Sequence, residues 1–452
     1  MKSMYIVTFL FILILEINSK HLRNLQSSSN NYDYSSYNAV SSNEDLTDQN
    51  LSSDVSDQSV VYITNKNIKI TGSTLTKSGN STNTENSEFY GVNSAVLVQG
   101  GDLTISGGQI TTKANGANAI CVTNKGTAQI SDGTVIKSTA DASARGLHAT
   151  YGGTIIANGV TVITQGRSCA SLATDRGEGT VTCTGCNLFT EGKGSPLIYS
   201  TGTIIANGKS SGTASGAQMV VVEGKNTASV TNSDFKCSGE GNRDSNVDKC
   251  GVMIYQSMSG DADDGTSQFN CQNSNMEIES SSSVYSSAPM FFITNTDAKI
   301  NLNGCNFKYG SNVFLNASGT NEWGKVGSNG GDVTLTLTNQ NIEGDFIVDN
   351  DSELEINMIN STIKGTINGA KTGDSVEINM DSNSKIILTG NSYYTELKNA
   401  DSTGSNIIKG NYSFSLYDED EDEDEDDINI ISTSNSNYFN KSILLLLLLA
   451  FI

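Results

Sequence analysis

A short apolar cluster recurs along this chain, and this repeat restricts the fold more than any other feature. Neighbouring clusters are about 24 residues apart, with longer gaps where other segments are inserted. The clusters begin at Ala95, Ala119, Gly146, Ala170, Pro196, Met219, Val252, Pro289 and Phe346. A repeat of this length is typical of one coil of a solenoid, in which each unit packs mainly against its two neighbours.

Two further runs rich in β-branched residues follow most clusters, each after a short turn. Residues 102–106 and 109–112 follow the cluster at Ala95, for example. No helical period interrupts this pattern, and Gly, Asn and Asp separate the runs. We therefore predict an all-β fold: a single right-handed parallel β-helix solenoid with three short strands per coil, spanning residues 59–413.

The turn between the second and third strands repeats the same chemistry. Asn187, Asp234, Asn275, Asn306 and Asn341 each precede an apolar residue in one register. Asn and Asp tolerate the left-handed backbone conformation and form local hydrogen bonds. We expect these side chains to adopt that conformation and to form a ladder along the solenoid axis.

The cysteines are even in number, which in a secreted chain favours disulfide bonds. They are Cys121, Cys169, Cys183, Cys186, Cys237, Cys250, Cys271 and Cys305. The Cys183-Thr-Gly-Cys186 pair would suit redox exchange or zinc in another setting, but zinc needs a second pair and none exists. Cys183 and Cys271 share one position of the repeat, and Cys186 and Cys305 share another, so packing between coils is favoured. The pairing stays open.

Both ends of the chain indicate export to the cell surface. Residues 1–19 combine a basic start, an apolar stretch and a small residue, as a secretory signal peptide does. Residues 20–58 are rich in Ser, Asn and Asp without periodicity, and we interpret them as a disordered linker. At the other end, residues 441–452 form a short hydrophobic tail that suits a signal for glycosylphosphatidylinositol (GPI) attachment, with Ser434, Asn435 and Ser436 as candidate lipidation sites. The predicted location is extracellular, with a lipid anchor in the membrane.

The charge of the chain excludes one class of partner. The formal net charge is −22, and residues 418–427 are an unbroken acidic run. Nucleic-acid binding requires clustered Lys and Arg to neutralise phosphates, so we exclude it. Because like charges extend a segment, residues 414–440 are predicted to form a stalk between the fold and the membrane.

Five stretches carry a resemblance to a known family: residues 166–180, 194–202, 222–226, 254–265 and 323–333. On these residues, most of the segment 90–400 resembles the pectin-lyase-like right-handed β-helices, and above all the secreted adhesin-like proteins whose function is not settled. The resemblance implies polysaccharide as the class of ligand or substrate. The histidine-bearing element of the polygalacturonases is absent, although the adjacent Asp263 and Asp264 are similar to another element of that family.

Few residues combine in a way that could support chemistry or binding. Adjacent opposite charges occur at Asp175-Arg176 and at Arg243-Asp244, and Trp323 is the only tryptophan. Asp175, Arg176 and Trp323 are candidate binding residues, because a sugar ring can stack on an indole ring. Their alternatives are an exposed ion pair and ordinary packing.

Metal binding and glycosylation rest on short local patterns. Asp261, Asp263 and Asp264 crowd a glycine-bounded loop whose oxygen ligands would suit calcium, although their spacing is not that of an EF-hand. No other cofactor is predicted. Glycosylation sequons occur at Asn50, Asn80, Asn316, Asn360 and Asn411.

These patterns favour a binding protein over an enzyme. His21 and His148 are the only histidines, and carboxylates are not expected to recur at one position of successive coils, as hydrolysis would need. We expect an adhesin-like surface protein that contacts carbohydrate or a partner surface through a Ser/Thr/Asn-rich face of the β-helix. The alternatives are a tethered polysaccharide lyase or hydrolase and a structural coat protein.

Overall fold

The computed structural model describes residues 30–243 and 246–417. The predicted signal peptide, the candidate lipidation sites and the hydrophobic tail lie outside the described residues. So do Asp244, His21 and the acidic run. The regular secondary structure of the described part is almost entirely β-strand, with one short helix, Thr84–Tyr90.

Three long sheets, which we name A, B and C, run along the solenoid. Sheet A contains twelve strands: Ala39–Ser42, Ser59–Thr64, Val96–Gln99, Ile120–Thr123, Leu147–Ala149, Leu172–Thr174, Ile198–Ser200, Val220–Glu223, Val252–Tyr255, Phe291–Thr294, Val313–Ala317 and Asp345–Val348. Sheet B contains fourteen: Leu46–Thr47, Asn67–Thr71, Asp102–Ser106, Thr127–Ser131, Thr154–Asn158, Thr180–Thr184, Thr203–Asn207, Thr227–Thr231, Ser267–Gln272, Thr296–Asn303, Gly331–Thr338, Glu353–Ile359, Ser375–Met380 and Glu396–Asn399. Sheet C contains ten: Asn50–Ser53, Thr74–Lys77, Gln109–Thr112, Val135–Ser138, Thr161–Thr164, Asn187–Thr190, Ser211–Ala214, Asp234–Cys237, Asn275–Ile278 and Asn306–Lys308.

Two small sheets complete the C-terminal coils. One contains Asn341–Glu343, Thr362–Gly365, Lys385–Leu388 and Ile407–Ile408, and the other contains Ser392–Tyr394 and Phe414–Leu416. Successive coils pair in parallel; Ile120, for example, is in register with Val96 on one side and with Leu147 on the other. The predicted class, a parallel β-helix with three strands per coil, is confirmed.

The first coil begins earlier than the sequence indicated. Strands Ala39–Ser42 and Asn50–Ser53 lie inside the segment interpreted as a disordered linker, so that interpretation is wrong from residue 39 onward. The rings of Tyr34 and Tyr37 pack against Tyr62 of the next coil, with centroids 6.4 Å and 5.0 Å away. The contacts of these tyrosines and the in-register strand pairing together stabilise a segment that has few apolar residues of its own.

Alternate residues of each strand point into the solenoid and stack from coil to coil. One such column contains Ile105, Ile130, Ala157, Cys183, Ala206, Val230, Cys271 and Leu302. Each buried Ile, Leu or Val contributes roughly 1.5–3 kcal/mol through removal from water. Because every coil adds a layer to one continuous core, the solenoid stays ordered along its whole described length.

The turn ladder forms, but the left-handed residues are not the ones predicted. Asn187, Asp234, Asn275 and Asn306 are strand residues in one register. The Asn306 Nδ2 donates to the Asn275 Oδ1 at 2.8 Å. Positive φ angles occur two residues earlier, as at Asn273 with 48°. The expected ladder therefore exists, but its residues have an extended rather than a left-handed backbone conformation, because the chain turns before the strand starts.

Four cysteines pair within the solenoid. Cys183 is bonded to Cys186, and Cys271 is bonded to Cys305. Cys183 and Cys271 occupy the same column, as the repeat alignment predicted. The remaining cysteines are free thiols with no access to solvent, which favours packing over redox chemistry; they are Cys121, Cys169, Cys237 and Cys250.

Candidate functional site

Segments inserted between strands cover part of the outer face of sheet A. The helix Thr84–Tyr90 packs over the N-terminal coils; its start is capped by Asn83, and it ends at Gly91 with a φ of 74°. Gly91 packs against Cys121 on the sheet, where an added Cβ would collide with the sulfur. Further along the sheet, residues 256–264 and 318–330 follow two later strands.

Arg145, His148 and Asp175 form a centre of ionisable side chains on this covered face. The Arg145 Nη2 lies 3.4 Å from the Asp175 Oδ2, and its Nη1 lies 3.5 Å from the Glu88 Oε1 of the helix. The His148 Nε2 lies 4.0 Å from the same Asp175 oxygen. All three side chains of the centre are buried. Charges this far from water are retained only where opposite charges compensate them.

Burial changes the pKa values of this centre. It raises the pKa of Asp175 to about 8, although the neighbouring Arg145 acts in the opposite direction. Burial and the positive charge of Arg145 together lower the pKa of His148 well below its ordinary value. His148 is therefore a neutral imidazole ring at physiological pH, able to donate one hydrogen bond and accept another.

Glu223 forms a second polar centre on later coils of the same face. Its Oε2 accepts hydrogen bonds from the hydroxyl groups of Tyr199, at 2.5 Å, and Tyr255, at 2.9 Å. Burial raises the pKa of Glu223, while these tyrosines and Ser257 lower it. The burial that discourages ionisation of the carboxyl thus competes with donors that favour it.

Several buried polar atoms of this face form no hydrogen bond within the described residues, although one of them, on Arg145, is ion-paired with Glu88. They are the Arg145 Nη1, both ring nitrogens of His148, the Thr201 Oγ1 and the Glu223 Oε1. In the strand register, the small Ala173 separates His148 from Tyr199. We name this row of side chains, from His148 past Ala173 and Tyr199 to Glu223, the sheet-A chamber. Buried polar atoms of this kind normally bind ordered water or a polar ligand.

The fold brings together two groups of predicted site residues. The Arg176 Nε and Nη2 both lie 3.1 Å from the Asp261 Oδ1. On its other side, the Arg176 guanidinium lies 3.7 Å from the centre of the Phe89 ring. Asp175, at the same turn, is buried beside Arg145 and His148. Of these two adjacent residues, Asp175 therefore belongs to the buried centre, whereas Arg176 contacts the segments that cover sheet A.

Two carboxylates of the acidic loop already form ion pairs with cationic side chains of the protein. Asp261 pairs with Arg176, and the Asp263 Oδ2 lies 3.1 Å from the Lys225 Nζ. Asp264 lines a surface depression of about 440 Å³ together with Asp263. Among residues 30–243 and 246–417, no group of three or more His, Cys, Asp or Glu side chains is arranged to hold a metal ion. Calcium binding at this loop stays a prediction.

Trp323 packs against protein side chains and is only 6% exposed. Its ring centre lies 5.1 Å from that of Tyr255, and the Arg243 guanidinium lies 4.7 Å from it on the indole face. Arg243 also pairs with Glu322 at 2.8 Å. With a cation already on the ring, this geometry favours the packing alternative over a sugar-stacking platform.

The sequons differ in exposure. Asn50, Asn80, Asn360 and Asn411 are exposed, whereas Asn316 is partly buried in a groove of about 460 Å³. The Asn316 Oδ1 is buried and has no hydrogen-bond partner in the described part of the chain. Four of the five asparagines thus offer their side chains to modifying enzymes.

Carboxylates do recur at the same position of successive coils, contrary to the sequence-based expectation. On the outer face of sheet B, Asp297, Asp332 and Glu353 are in register. A second column contains Glu355, Glu377 and Glu396. We name these six residues the acidic ladder. Aligning strands rather than turns would have revealed it, because all six lie within the first three residues of their sheet B strands.

Five of the six ladder residues, all except Glu396, line a groove of about 340 Å³. Burial and the neighbouring carboxylates raise the pKa values of Asp332 and Glu353. Within the described residues, only Glu396 of the six forms an ion pair, with Lys398. Like charges on directly neighbouring strands destabilise a sheet, so their accumulation indicates a requirement other than stability.

No protein-family model, no curated protein and no solved structure matches this chain. The parallel β-helix is therefore established by the strand register alone. No helix in the described part of the chain is long and apolar enough to cross a membrane.

Proposed function

We propose that this protein is an adhesin-like surface binding protein whose contact surface is the open outer face of sheet B. The main support for this proposal is that this face presents polar side chains in continuous register. One column contains Thr127, Thr154, Thr180, Thr203 and Thr227, and it continues toward the acidic ladder. The outer face of sheet A, in contrast, is partly covered by inserted segments.

Such a surface suits an extended ligand. Neighbouring strands repeat about every 4.8 Å, so hydroxyl groups and then carboxylates are offered at regular intervals. A polymer bound along them would gain many weak contacts, and display at a cell surface would add avidity. Carbohydrate agrees with the pectin-lyase-like resemblance, and the acidic ladder favours a polymer that carries amino groups. The proposed signal peptide and GPI anchor would place this face outside the cell.

Binding to a glycan array that includes amino sugars tests the proposal. The variant Asp332→Asn/Glu353→Gln should lose most of its binding to amino-bearing glycans. The control Asp141→Asn/Glu191→Gln removes two exposed carboxylates outside sheet B and should bind as the unaltered protein does. Absence of binding to every glycan would favour the coat-protein alternative.

A tethered polysaccharide hydrolase is the second candidate, and one observation favours it. Asp332 and Glu353 are neighbours in the groove, and both pKa values are raised. Glycoside hydrolysis uses two carboxyl groups, one kept protonated as the general acid. Release of reducing sugar that is lost in both Asp332→Asn and Glu353→Gln would support this candidate over simple binding.

A further inference from the structure

The loop of residues 256–264 lies beside the Glu223 end of the sheet-A chamber. It follows Tyr255 directly, and its Ser257 interacts with the carboxyl group of Glu223. The loop closes on itself, because the Gln256 Nε2 donates to the Ala262 carbonyl oxygen at 3.2 Å. Its tip is exposed from Met258 to Gly260. A short, self-contained loop with an exposed tip can move without disturbing the sheets.

Two ion pairs tie this loop to neighbouring turns. Arg176 holds Asp261, and Lys225 holds Asp263. Lys225 also pairs with Glu178 at 3.0 Å and donates its backbone N–H to the Asp263 carbonyl oxygen at 3.0 Å. The four side chains of the two pairs are between 25% and 44% exposed, so their attraction is sensitive to salt.

Of the polar groups beside the loop, Glu223 is buried, whereas Tyr199 and Tyr255 are partly exposed. Tyr199 and Tyr255 point their hydroxyl groups at one oxygen of Glu223, and the other oxygen has no partner in the described residues. His148 lies further along the chamber with neither ring nitrogen bonded. Fixed polar groups without partners are accommodated where water or a ligand can reach them.

We propose that the loop 256–264 is a lid over the Glu223 end of the sheet-A chamber, latched by the Arg176–Asp261 and Lys225–Asp263 ion pairs. Opening the lid admits solvent and polar solutes to Glu223, Tyr199 and Tyr255. The latch explains why an acidic loop stands opposite two cations from different coils. The four latch residues are not part of the acidic ladder, although Asp297 of the ladder lines the same surface depression as the loop.

Isosteric variants of the full chain test the latch. Asp261→Asn/Asp263→Asn removes both ion pairs and keeps the shape of the loop. Hydrogen exchange of residues 257–264, and the rates of nitration of Tyr199 and Tyr255, should each rise roughly five- to tenfold. The free energy of two partly exposed ion pairs corresponds to a factor of about this size. The matched control Glu277→Gln/Glu343→Gln removes two carboxylates that pair with Lys308 and Lys364 away from the lid, and should change neither rate.

Two further measurements keep the test decisive. The exchanged pair Arg176→Asp/Asp261→Arg should slow hydrogen exchange again relative to Asp261→Asn. If the double Asn variant loses its fold, the unaltered protein can be measured in about 1 M salt instead. Salt at this concentration shortens the range of charge attraction to about 3 Å and should open the lid. Rates that change neither in the double Asn variant nor with salt would overturn the proposal, since the loop would then be a fixed part of the wall.

Discussion

The carboxylate of Asp175 lies 3.4 Å from the guanidinium group of Arg145, and the two side chains are only 4% and 9% exposed. They come from neighbouring coils, so the solenoid register itself brings them together. The positive charge of Arg145 lowers the pKa of the Asp175 carboxyl group, whereas burial raises it. Two predictions test which effect dominates.

Stability should fall as pH rises from about 6.5 to about 8, whereas below about 6.5 the lowered pKa of His148 acts in the opposite direction. The folded-state pKa of Asp175, about 8, lies above its ordinary value of 3.8, so the folded protein holds this proton more tightly. That contribution is complete below the ordinary pKa and is lost as pH rises through the folded-state pKa; Glu223 acts in the same direction. Denaturant unfolding at several pH values should show a shallower slope for Asp175→Asn, by up to about 1.4 kcal/mol per pH unit. An unchanged slope would mean that Arg145 keeps Asp175 ionised.

At about pH 9, above the folded-state pKa of Asp175, Arg145→Met should cost about 3–5 kcal/mol in the free energy of unfolding, because it leaves a buried carboxylate without its cation. Arg243→Met is the matched control. Arg243 also combines an ion pair with an aromatic contact, but its side chain is 42% exposed. Its loss should cost about 1 kcal/mol or less. Similar losses from both substitutions would contradict a special role for the buried centre.

The two disulfides should contribute unequally. Cys271–Cys305 closes a separation of 34 residues, whereas Cys183–Cys186 spans three. Loop-closure entropy predicts about 3–4 kcal/mol for the first and about 1.5 kcal/mol for the second. Cys271→Ala/Cys305→Ala should therefore unfold at lower denaturant than Cys183→Ala/Cys186→Ala. The reverse order would indicate that local packing, rather than chain entropy, determines their effect.

Glycan occupancy should follow exposure. In a host that glycosylates sequons, Asn50, Asn80, Asn360 and Asn411 should carry glycan on a larger fraction of molecules than Asn316, whose side chain lies in a groove. Glycopeptide mass spectrometry of the secreted protein measures each site. High occupancy at Asn316 would show that modification precedes closure of that groove during folding.

The sequence predicts the repeating part of this molecule well, because each coil uses the same local chemistry. Strand alternation and the shared column of Cys183 and Cys271 follow from the repeat alone. The cover of sheet A does not. Arg176 and Asp261 are 85 residues apart, and no local pattern indicates that they meet.

Two other failures have local causes. The first coil was missed because its strands contain few apolar residues and depend on pairing with the next coil. Asp332 and Glu353 were missed because an alignment of turns does not show which strand residues share a face. In both cases the missing information was the register between strands, which only the folded solenoid supplies.

The corrected position of the left-handed turn can be tested with two neighbouring asparagines. Asn273 has a φ of 48°, whereas Asn275 belongs to the strand Asn275–Ile278. Asn273→Val should cost about 1–2 kcal/mol, because a β-branched side chain collides with the backbone in the left-handed conformation. Asn275→Val should cost less, since valine suits an extended strand and only exposed hydrogen bonds to Asp234 and Asn306 are lost. Thermal unfolding of both variants decides the matter, and a larger loss for Asn275→Val would restore the original assignment of the ladder.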